Sequence, residues 1–234
     1  MREFDASVIW KSIPELLPYV FVTIYATVIA FILALLLGSL IAAGKLSKNP
    51  IARGAANIYT TIMRCTPTIV MLFIVFYGIP KFSLVLFGKS LDEWPRAVFV
   101  IAGLTLLFSA SLSETIRSAY QSVPQGQFEA AYTSGLGWWH THIRIIYPQT
   151  AYIALPNIGN TVISLLKEGS SAFTIGFIDL IGKANLMVSM NLGARSREIY
   201  ISAALLYLVL VLLLEWGLKK AEKAVGKGRR DQSK

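Results

Sequence analysis

The chain has very few of the residues that build disulfides, metal sites and charged surfaces. Cys65 is the only cysteine among 234 residues, so an intrachain disulfide is impossible. With His140 and His142 as the only histidines, a cysteine–histidine metal site is not expected. Charged residues make up 15% of the chain and hydrophobic residues 55%. This composition is typical of an integral membrane protein and argues against a soluble domain.

Long apolar runs stand where a soluble protein would carry charge. A helix needs about 20 apolar residues to cross a bilayer, and residues 19–43 contain no charged side chain. We therefore expect an all-α integral membrane protein with about five transmembrane helices. The predicted spans are residues 19–43, 58–79, 97–120, 152–171 and 199–218.

Acidic residues are scarce, since the chain has 13 acidic and 22 basic residues and a net charge of +9. Much of the basic excess follows the last apolar run. This basic tail contains Lys219, Lys220, Lys223, Lys227, Arg229, Arg230 and Lys234. A basic segment directly after a membrane helix is typical of a cytoplasmic end near anionic lipid. We expect membrane lipid, and no nucleic acid, as its partner.

The charge distribution also predicts the orientation of the chain. If the tail is cytoplasmic, an odd number of spans places the N-terminus outside. The chain then divides into three parts. Residues 1–18 form an extracytoplasmic amphipathic segment, which Pro14 and Pro18 are expected to end. Residues 19–218 form the transmembrane domain, and residues 219–234 form the basic cytoplasmic tail.

Polar side chains recur along one face of the fourth predicted span. At 100° per residue they lie within about 60° of one line along a helix. The polar stripe consists of Asn157, Asn160, Thr161, Ser164, Glu168 and Ser171, with Lys167 at its edge. The opposite face carries Val162, Leu165 and Leu166, and we expect that face to meet lipid. The stripe either joins packed helices by hydrogen bonds or lines a path for a polar substrate.

Three further charges lie within predicted spans. Glu114 and Arg117 are three residues apart and can pair on one helix face, whereas a ligand-binding role is the alternative. Arg64 either reaches the membrane interface or has a functional role. Pro67 interrupts the hydrogen bonding of the second span and would free carbonyl groups toward a polar cavity.

A short helix is predicted within the loop between the third and fourth spans, residues 121–151. Pro124 and Gly126 are expected to end the preceding helix. Residues 128–134 then form a helix, and two glycines stop it. Its small residues, Ala130 and Ala131, allow close approach and suit docking into a groove. An ordinary surface helix is the alternative.

Residues 129–148 read EAAYTSGLGWWHTHIRIIYP and resemble the EAA loop of ABC-importer permeases. That pattern is Glu-Ala-Ala, three residues, Gly, nine residues, Ile, one residue and Leu-Pro. It is met by Glu129, Ala130, Ala131, Gly135, Ile145 and Pro148, whereas Tyr147 replaces the usual Leu. Other segments resemble the polar amino-acid branch of the family. They are FDASVIW near the start, RCTPTIVMLFIVFYGIP at 64–80, SETIRSAYQSVPQGQFEAA at 113–131 and, more loosely, LLKEGSSAFTIG at 165–176.

The resemblance implies a type I ABC-importer permease of about five spans in a bacterial inner membrane. Such a permease is a non-catalytic transport subunit. Its partners are a second permease subunit, identical or paralogous, a cytosolic dimer of ABC ATPase subunits and an extracytoplasmic amino-acid-binding protein. The chain has no G-x-x-x-x-G-K-[ST] phosphate loop. ATP and magnesium are therefore expected in the partner ATPase, and no cofactor in this chain.

The resemblance also assigns roles to residues of this chain. The EAA loop is the ATPase-coupling element, which here contains Phe128, Glu129, Ala130, Ala131 and Gly135. The polar stripe of the fourth span is then the hypothetical substrate path, with Glu168 favouring a cationic or zwitterionic amino acid.

Other functions remain as alternatives. An intramembrane enzyme needs a nucleophile and a base, and Ser164 lies three residues from Lys167, but no further catalytic motif accompanies them. A passive channel or assembly scaffold leaves the EAA pattern unexplained. Within transport, the alternative is a permease for another small polar solute.

Overall fold

The structure is a computed structural model that describes residues 4–230, with side chains described to residue 223. The helices are α1 Ala6–Leu46, α2 Pro50–Cys65, α3 Thr68–Phe73, α4 Ile79–Phe87, α5 Arg96–Gln121, α6 Gln125–Thr133, α7 Trp138–Thr141, α8 Tyr147–Glu168, α9 Leu180–Met190 and α10 Ser196–Arg230. π-Helical turns, Ile74–Gly78 and His142–Ile146, join α3 to α4 and α7 to α8. A 3-10 helix, Gly169–Ile175, follows α8. The described residues contain no β-strand, and the all-α prediction is confirmed.

α1 is one continuous helix of 41 residues, although Pro14 and Pro18 lie inside it. The expectation that these prolines break the helix before the first span was wrong. A proline removes the hydrogen bond to the carbonyl four residues earlier. Trp10 and both prolines lie on the exposed side of α1, where the carbonyls that lose a partner can bind water. The other side stays packed, since Ser12 and Leu16 are buried.

Small residues let α1 and α5 approach closely. Ala30, Ala34, Gly38 and Ala42 recur every four residues along α1, and all four are buried. A Cβ atom at Gly38 would lie 2.9 Å from the backbone carbonyl oxygen of Ser109 in α5. Such small-residue repeats are typical of closely packed membrane helices. We call this contact the α1–α5 seam.

The second predicted span proves to be two helices joined at a break. α2 ends before Thr66 and Pro67, and a new helical rod, Thr68–Phe87, continues beyond them. Pro67 has no backbone N–H to donate, and it restricts Thr66 to the extended conformation that the structure shows. The predicted boundaries, 58–79, were therefore wrong, because the rod that is long and apolar enough to cross a membrane starts at the break.

The expectation of about five membrane helices is confirmed. Four continuous rods of the described chain are long and apolar enough to span a bilayer. They are Ala6–Leu46, Thr68–Phe87, Arg96–Gln121 and Ser196–Lys223. A fifth span results if Trp138–Ile175 and Leu180–Met190, which are bent by 45°, cross together. α9 was not predicted, because its apolar run is short and contains Lys183.

The start of α1 is attached to the start of α10. Asp5 caps α1 by accepting a hydrogen bond from the backbone N–H of Ser7 at 2.9 Å. Hydrogen bonds from Ser7 hold the pKa of the Asp5 carboxyl below its ordinary value. Arg195 bridges Asp5 at 3.9 Å and Glu198 at 3.3 Å. The starts of α1 and α10 therefore share one ionic cluster.

α10 continues from the last span into the predicted basic tail. Near the end of that span, the Lys220 ammonium lies 3.6 Å from the ring centre of Trp216, a cation–π contact. The rest of the tail is only partly described. Residues 231–234 and the side chains of Lys227, Arg229 and Arg230 lie outside the described part.

Replacing Gly38 with Ala tests the α1–α5 seam. The added methyl group would overlap backbone atoms of α5. We therefore expect the overlap to lower the free energy of unfolding by about 1–3 kcal/mol, which exceeds the gain of ~0.5–1 kcal/mol from helix propensity. Gly54→Ala in α2 is the matched control, because no atom lies within 4 Å of its Cβ position. Thermal unfolding in detergent should show a lower Tm for Gly38→Ala and an equal or higher Tm for Gly54→Ala. Shifts of the same sign would contradict this account.

Candidate functional site

A polar cavity lies where the ends of two helices meet. α2 stops before Pro67, and α8 ends at Glu168, where the 3-10 helix begins. Thr68, the first residue of α3, donates a hydrogen bond from its hydroxyl to Glu168 Oε2 at 2.5 Å. The cavity has a volume of about 200 Å³. Its lining residues are Met63, Arg64, Thr66, Thr68, Leu107, Phe108, Ser111 and Glu168.

The cavity contains one positive and one negative side chain. Arg64 lies in the last turn of α2, and Glu168 lies beside the first residue of α3. Helix dipoles favour a cation at a C-terminal end and an anion at an N-terminal end. Arg64 therefore suits its position, whereas Glu168 lies beside the N-terminus of α3 but also at the C-terminal end of its own helix, α8. Among the described residues, the Arg64 guanidinium has no ion-pair partner, and the Glu168 carboxylate is bonded only by Thr68. Both charges therefore remain available to a ligand.

The polar stripe of α8 lies on the outer surface of the subunit. Asn157, Asn160, Lys167 and Glu168 are exposed, whereas Thr161, Ser164 and Ser171 are half-buried. The opposite face does not meet lipid, and our expectation for it was wrong. Leu165 is fully buried in the core with Leu104 and Leu107 of α5, and Leu166 is buried too. α5 covers the apolar face, and the polar face therefore points away from the subunit.

The last turns of α5 carry a group of ion pairs. Arg117 donates to Glu114 at 2.8 Å, so the pairing expected from their spacing is present. Lys45 of α1 also binds Glu114, and Arg117 donates onward to Gln121 at 2.6 Å. The first span was predicted to end at residue 43, but α1 continues to Leu46, and Lys45 lies inside it with its side chain only 2% exposed. The carboxylate of Glu114 therefore joins α1 to α5.

The predicted loop between the third and fourth spans is mostly helical. α6, Gln125–Thr133, starts three residues before the predicted short helix, 128–134, and ends one residue earlier than predicted. Pro124 precedes α6, as its fixed φ favours, but Gly126 lies within the helix and does not end α5. Phe128 is half-buried and Ala131 is buried, whereas Glu129 and Ala130 are exposed. α6 thus has an inner face on the subunit and an outer face that is free.

Gly135 gives α6 a defined end. The Gly135 N–H donates to the Tyr132 carbonyl at 3.0 Å, and the Leu136 N–H donates to the Ala131 carbonyl at 3.1 Å. This pair of hydrogen bonds is a Schellman motif, which requires a left-handed residue after the helix. Gly135 supplies it with φ +80°, a conformation that disfavours any residue with a Cβ atom.

The structure sorts the predicted site residues into two groups. Arg64 and Glu168 meet at the cavity, and the stripe of α8 extends from it. The second group, the residues of α6, lies beyond the end of α5. Ser111, which lines the cavity, is ten residues before that end, so about 15 Å of α5 separate the cavity from the start of the α6 segment. Sequence reasoning missed Thr68 and Lys45, although the break at Thr66-Pro67 was a signal for the first. The described residues contain no cluster of three or more potential metal ligands.

Comparison with known proteins identifies relatives along almost the whole chain. The family model described as binding-protein-dependent transport system inner membrane component matches residues 34–227. The L-cystine transport system permease protein TcyL of Bacillus subtilis is 35% identical over 228 residues, which cover 97% of this chain and 94% of the relative. The nopaline transport system permease protein NocQ of Agrobacterium fabrum is also 35% identical, over 83% of this chain and 84% of its own.

Solved structures show the same fold. The crystal structure of an amino acid ABC transporter with histidines matches with a TM-score of 0.82 and 30% identity, covering 95% of this chain and 100% of the other. The MetNI methionine ABC transporter, in an inward-facing conformation, matches with a TM-score of 0.64 and 17% identity, over 95% of this chain and 99% of its own. The second match supports the fold alone.

Unfolding of single and double variants tests the ion pairs at the end of α5. Glu114→Gln leaves the Lys45 ammonium buried without a carboxylate. Removing one partner of a buried ion pair lowers the free energy of unfolding by about 3–5 kcal/mol. Lys45→Met should cost less, because Glu114 keeps Arg117 at 2.8 Å. The double variant Lys45→Met/Glu114→Gln should be more stable than Glu114→Gln. Denaturant unfolding in detergent measures the order, and equal stability of Glu114→Gln and the double variant would contradict it.

Proposed function

The chain belongs to the family of inner membrane components of binding-protein-dependent transport systems, and we propose that it passes polar amino acids along the outer face of α8. Membership makes it a membrane-spanning permease subunit of an importer, with the type I ABC-importer permease fold. It is a transport subunit with no catalytic activity of its own. The proposal concerns the path, the substrate and the partners.

One observation carries the proposed path: polar and charged groups are exposed on the outside of a membrane subunit. Asn157, Asn160 and Lys167 lie on the exposed side of α8, and the cavity with Arg64 and Glu168 adjoins them. Hydrocarbon cannot hydrogen-bond such groups, and a charge at the centre of a bilayer is costly. This face therefore needs another protein surface or water. A second permease subunit, identical or paralogous, supplies both if the path runs between the two.

The charges of the cavity suit an amino acid. The carboxylate of Glu168 can accept hydrogen bonds from a substrate ammonium, and the guanidinium of Arg64 can donate to a substrate carboxylate. Relatives named as permeases for L-cystine and nopaline, and a similar structure of an amino acid ABC transporter, support the same substrate class. A cavity of about 200 Å³ suits a solute of that size. Thr161 and Ser164 would offer further polar contacts along the path.

The proposed assembly includes a cytosolic ABC ATPase dimer and an extracytoplasmic amino-acid-binding protein. The basic tail supports an orientation with the C-terminus in the cytoplasm and the N-terminus, with residues 1–18, outside. The outer face of α6, with Glu129 and Ala130, then lies on the cytoplasmic side and docks in a groove of the ATPase. ATP and magnesium bind in that partner. Closure of the ATPase dimer moves α6, and the path switches between inward-facing and outward-facing states.

Replacing Gly135 tests the docking of α6. Gly135→Val forces a β-branched residue into a left-handed conformation, which disrupts the Schellman motif at a cost of roughly 1–2 kcal/mol or more. Gly137→Val is the matched control, since Gly137 has φ −68° and no atom within 4 Å of its Cβ position. A pull-down of tagged chain in mild detergent should recover roughly tenfold less ATPase with Gly135→Val than with the control. Equal recovery would contradict the docking.

Replacing Glu168 tests the substrate path. Glu168→Gln keeps the shape but removes the negative charge, so uptake of a cationic amino acid should fall more than uptake of a neutral one. Competing uptake of L-lysine and L-glutamine into vesicles that contain the whole transporter measures the ratio. Glu93→Gln is the control, because Glu93 is exposed in the connection between α4 and α5. An unchanged ratio would favour the alternative that the stripe only joins helices.

A further inference from the structure

A buried histidine lies among four aromatic rings beside α6. His142 is only 4% exposed. The ring of Trp138 stacks on the imidazole with 4.1 Å between centroids, and the ring centroid of Tyr120 lies at 6.2 Å. Phe128 and Tyr147 meet it edge to face, at 5.9 Å and 5.6 Å. We call these five residues the His142 box.

Two hydrogen bonds fix the imidazole in this box. Nδ1 lies 2.9 Å from the backbone carbonyl oxygen of Trp138. A carbonyl only accepts, so Nδ1 carries the proton. Nε2, the other ring nitrogen, lies 3.0 Å from the Tyr120 hydroxyl and forms a hydrogen bond with it. Both ring nitrogens are used, and the ring is held in one orientation.

The members of the box come from α6 and from each helix next to it in the chain. Tyr120 belongs to the last turn of α5, Phe128 to α6, Trp138 to α7 and Tyr147 to α8. His142 is the first residue of the π-helical turn between α7 and α8. A π-helical turn places residues five apart above one another, which brings Tyr147 over His142. One side chain therefore contacts all the helices that a moving α6 must carry with it.

Apart from Phe128, most side chains of α6 point away from the subunit. Ala131 is buried, and the amide oxygen of Gln127 accepts a hydrogen bond from the Gln149 side chain at 3.1 Å. The remaining side chains of α6 are exposed. The ring of Phe128 also meets Tyr120 at 5.9 Å, so α6 reaches α5 through the box.

We propose that His142 is the positioning residue that makes α6, the end of α5 and the start of α8 move as one body. The inference rests on the proposed docking of α6. It assigns the transmission of motion to the box, whereas the outer face of α6 only binds the ATPase. Loss of the box then separates two properties, since the ATPase still binds but its cycle no longer moves the path.

The first experiment measures the box in the isolated chain and needs no ATPase. Spin labels at the exposed positions Ser118 of α5 and Glu129 of α6, in a Cys65→Ser background, report the distance between the two helices. We expect a narrow distance distribution in the parent, and a broader one in Tyr120→Phe and His142→Ala. Tyr120→Phe removes one hydroxyl and keeps the ring, so it tests the box even if His142→Ala fails to fold. An unchanged distribution in Tyr120→Phe would overturn the proposal.

The second experiment measures coupling in the whole transporter in vesicles. In Tyr120→Phe, ATPase recovery in a pull-down should match the parent, while amino acid uptake per ATP hydrolysed falls about tenfold. His140→Ala is the matched control, since His140 lies in α7 two residues from His142 and is exposed. Unchanged coupling, or loss of ATPase binding in step with uptake, would overturn the role in transmission. A broadened distance distribution in a chain whose parent binds no ATPase would support the box and contradict the proposed docking.

Discussion

Polar groups inside a bilayer must find partners, because hydrocarbon offers no hydrogen bonds. This constraint divides the intramembrane charges of the chain into two sets. Glu114 is satisfied within the subunit, since Lys45 and Arg117 both bind it. Arg64 and Glu168 instead line a cavity, and neither has an ion-pair partner among the described residues. The first set joins α1 to α5, and we propose that the second set marks where a partner, water or substrate binds.

α5 connects these two sets and α6. Its middle packs on α1 through the α1–α5 seam at Gly38, and its residues Leu107 and Ser111 line the cavity. Its end carries Glu114 and then Tyr120, which enters the His142 box. Because α5 is stiff over this distance, we expect a displacement at its C-terminal end to move the cavity wall directly. The ion pair with Lys45 means that α1 follows the same displacement.

Local signals in the sequence predicted the elements whose chemistry is local. Pro124 and Gly135 bracket α6, and the spacing of Glu114 and Arg117 gives their ion pair. Contacts between distant residues were beyond such signals: Thr68 and Glu168 are 100 residues apart in the chain. Periodicity showed that α8 has a polar face, but it does not tell what covers the apolar one, and Leu165 turned out to be core. Pro67 indicated an interruption of the second span, but hydropathy, averaged over many residues, did not show that the membrane-spanning helix begins after it.

α6 has only nine residues, and an isolated helix of fewer than about 12 residues is not stable in water. A helix of this length transmits a displacement only if other parts of the protein hold both of its ends. The Schellman motif at Gly135 fixes the C-terminal end, and the contact of Phe128 with Tyr120 and His142 fixes the N-terminal half. The outer face can then be small, since Ala130 lets a partner approach closely. The contacts on the inner face keep the helix rigid. In the proposed mechanism, binding and transmission depend on opposite faces of the same helix, and for this reason substitutions on the two faces should have different effects.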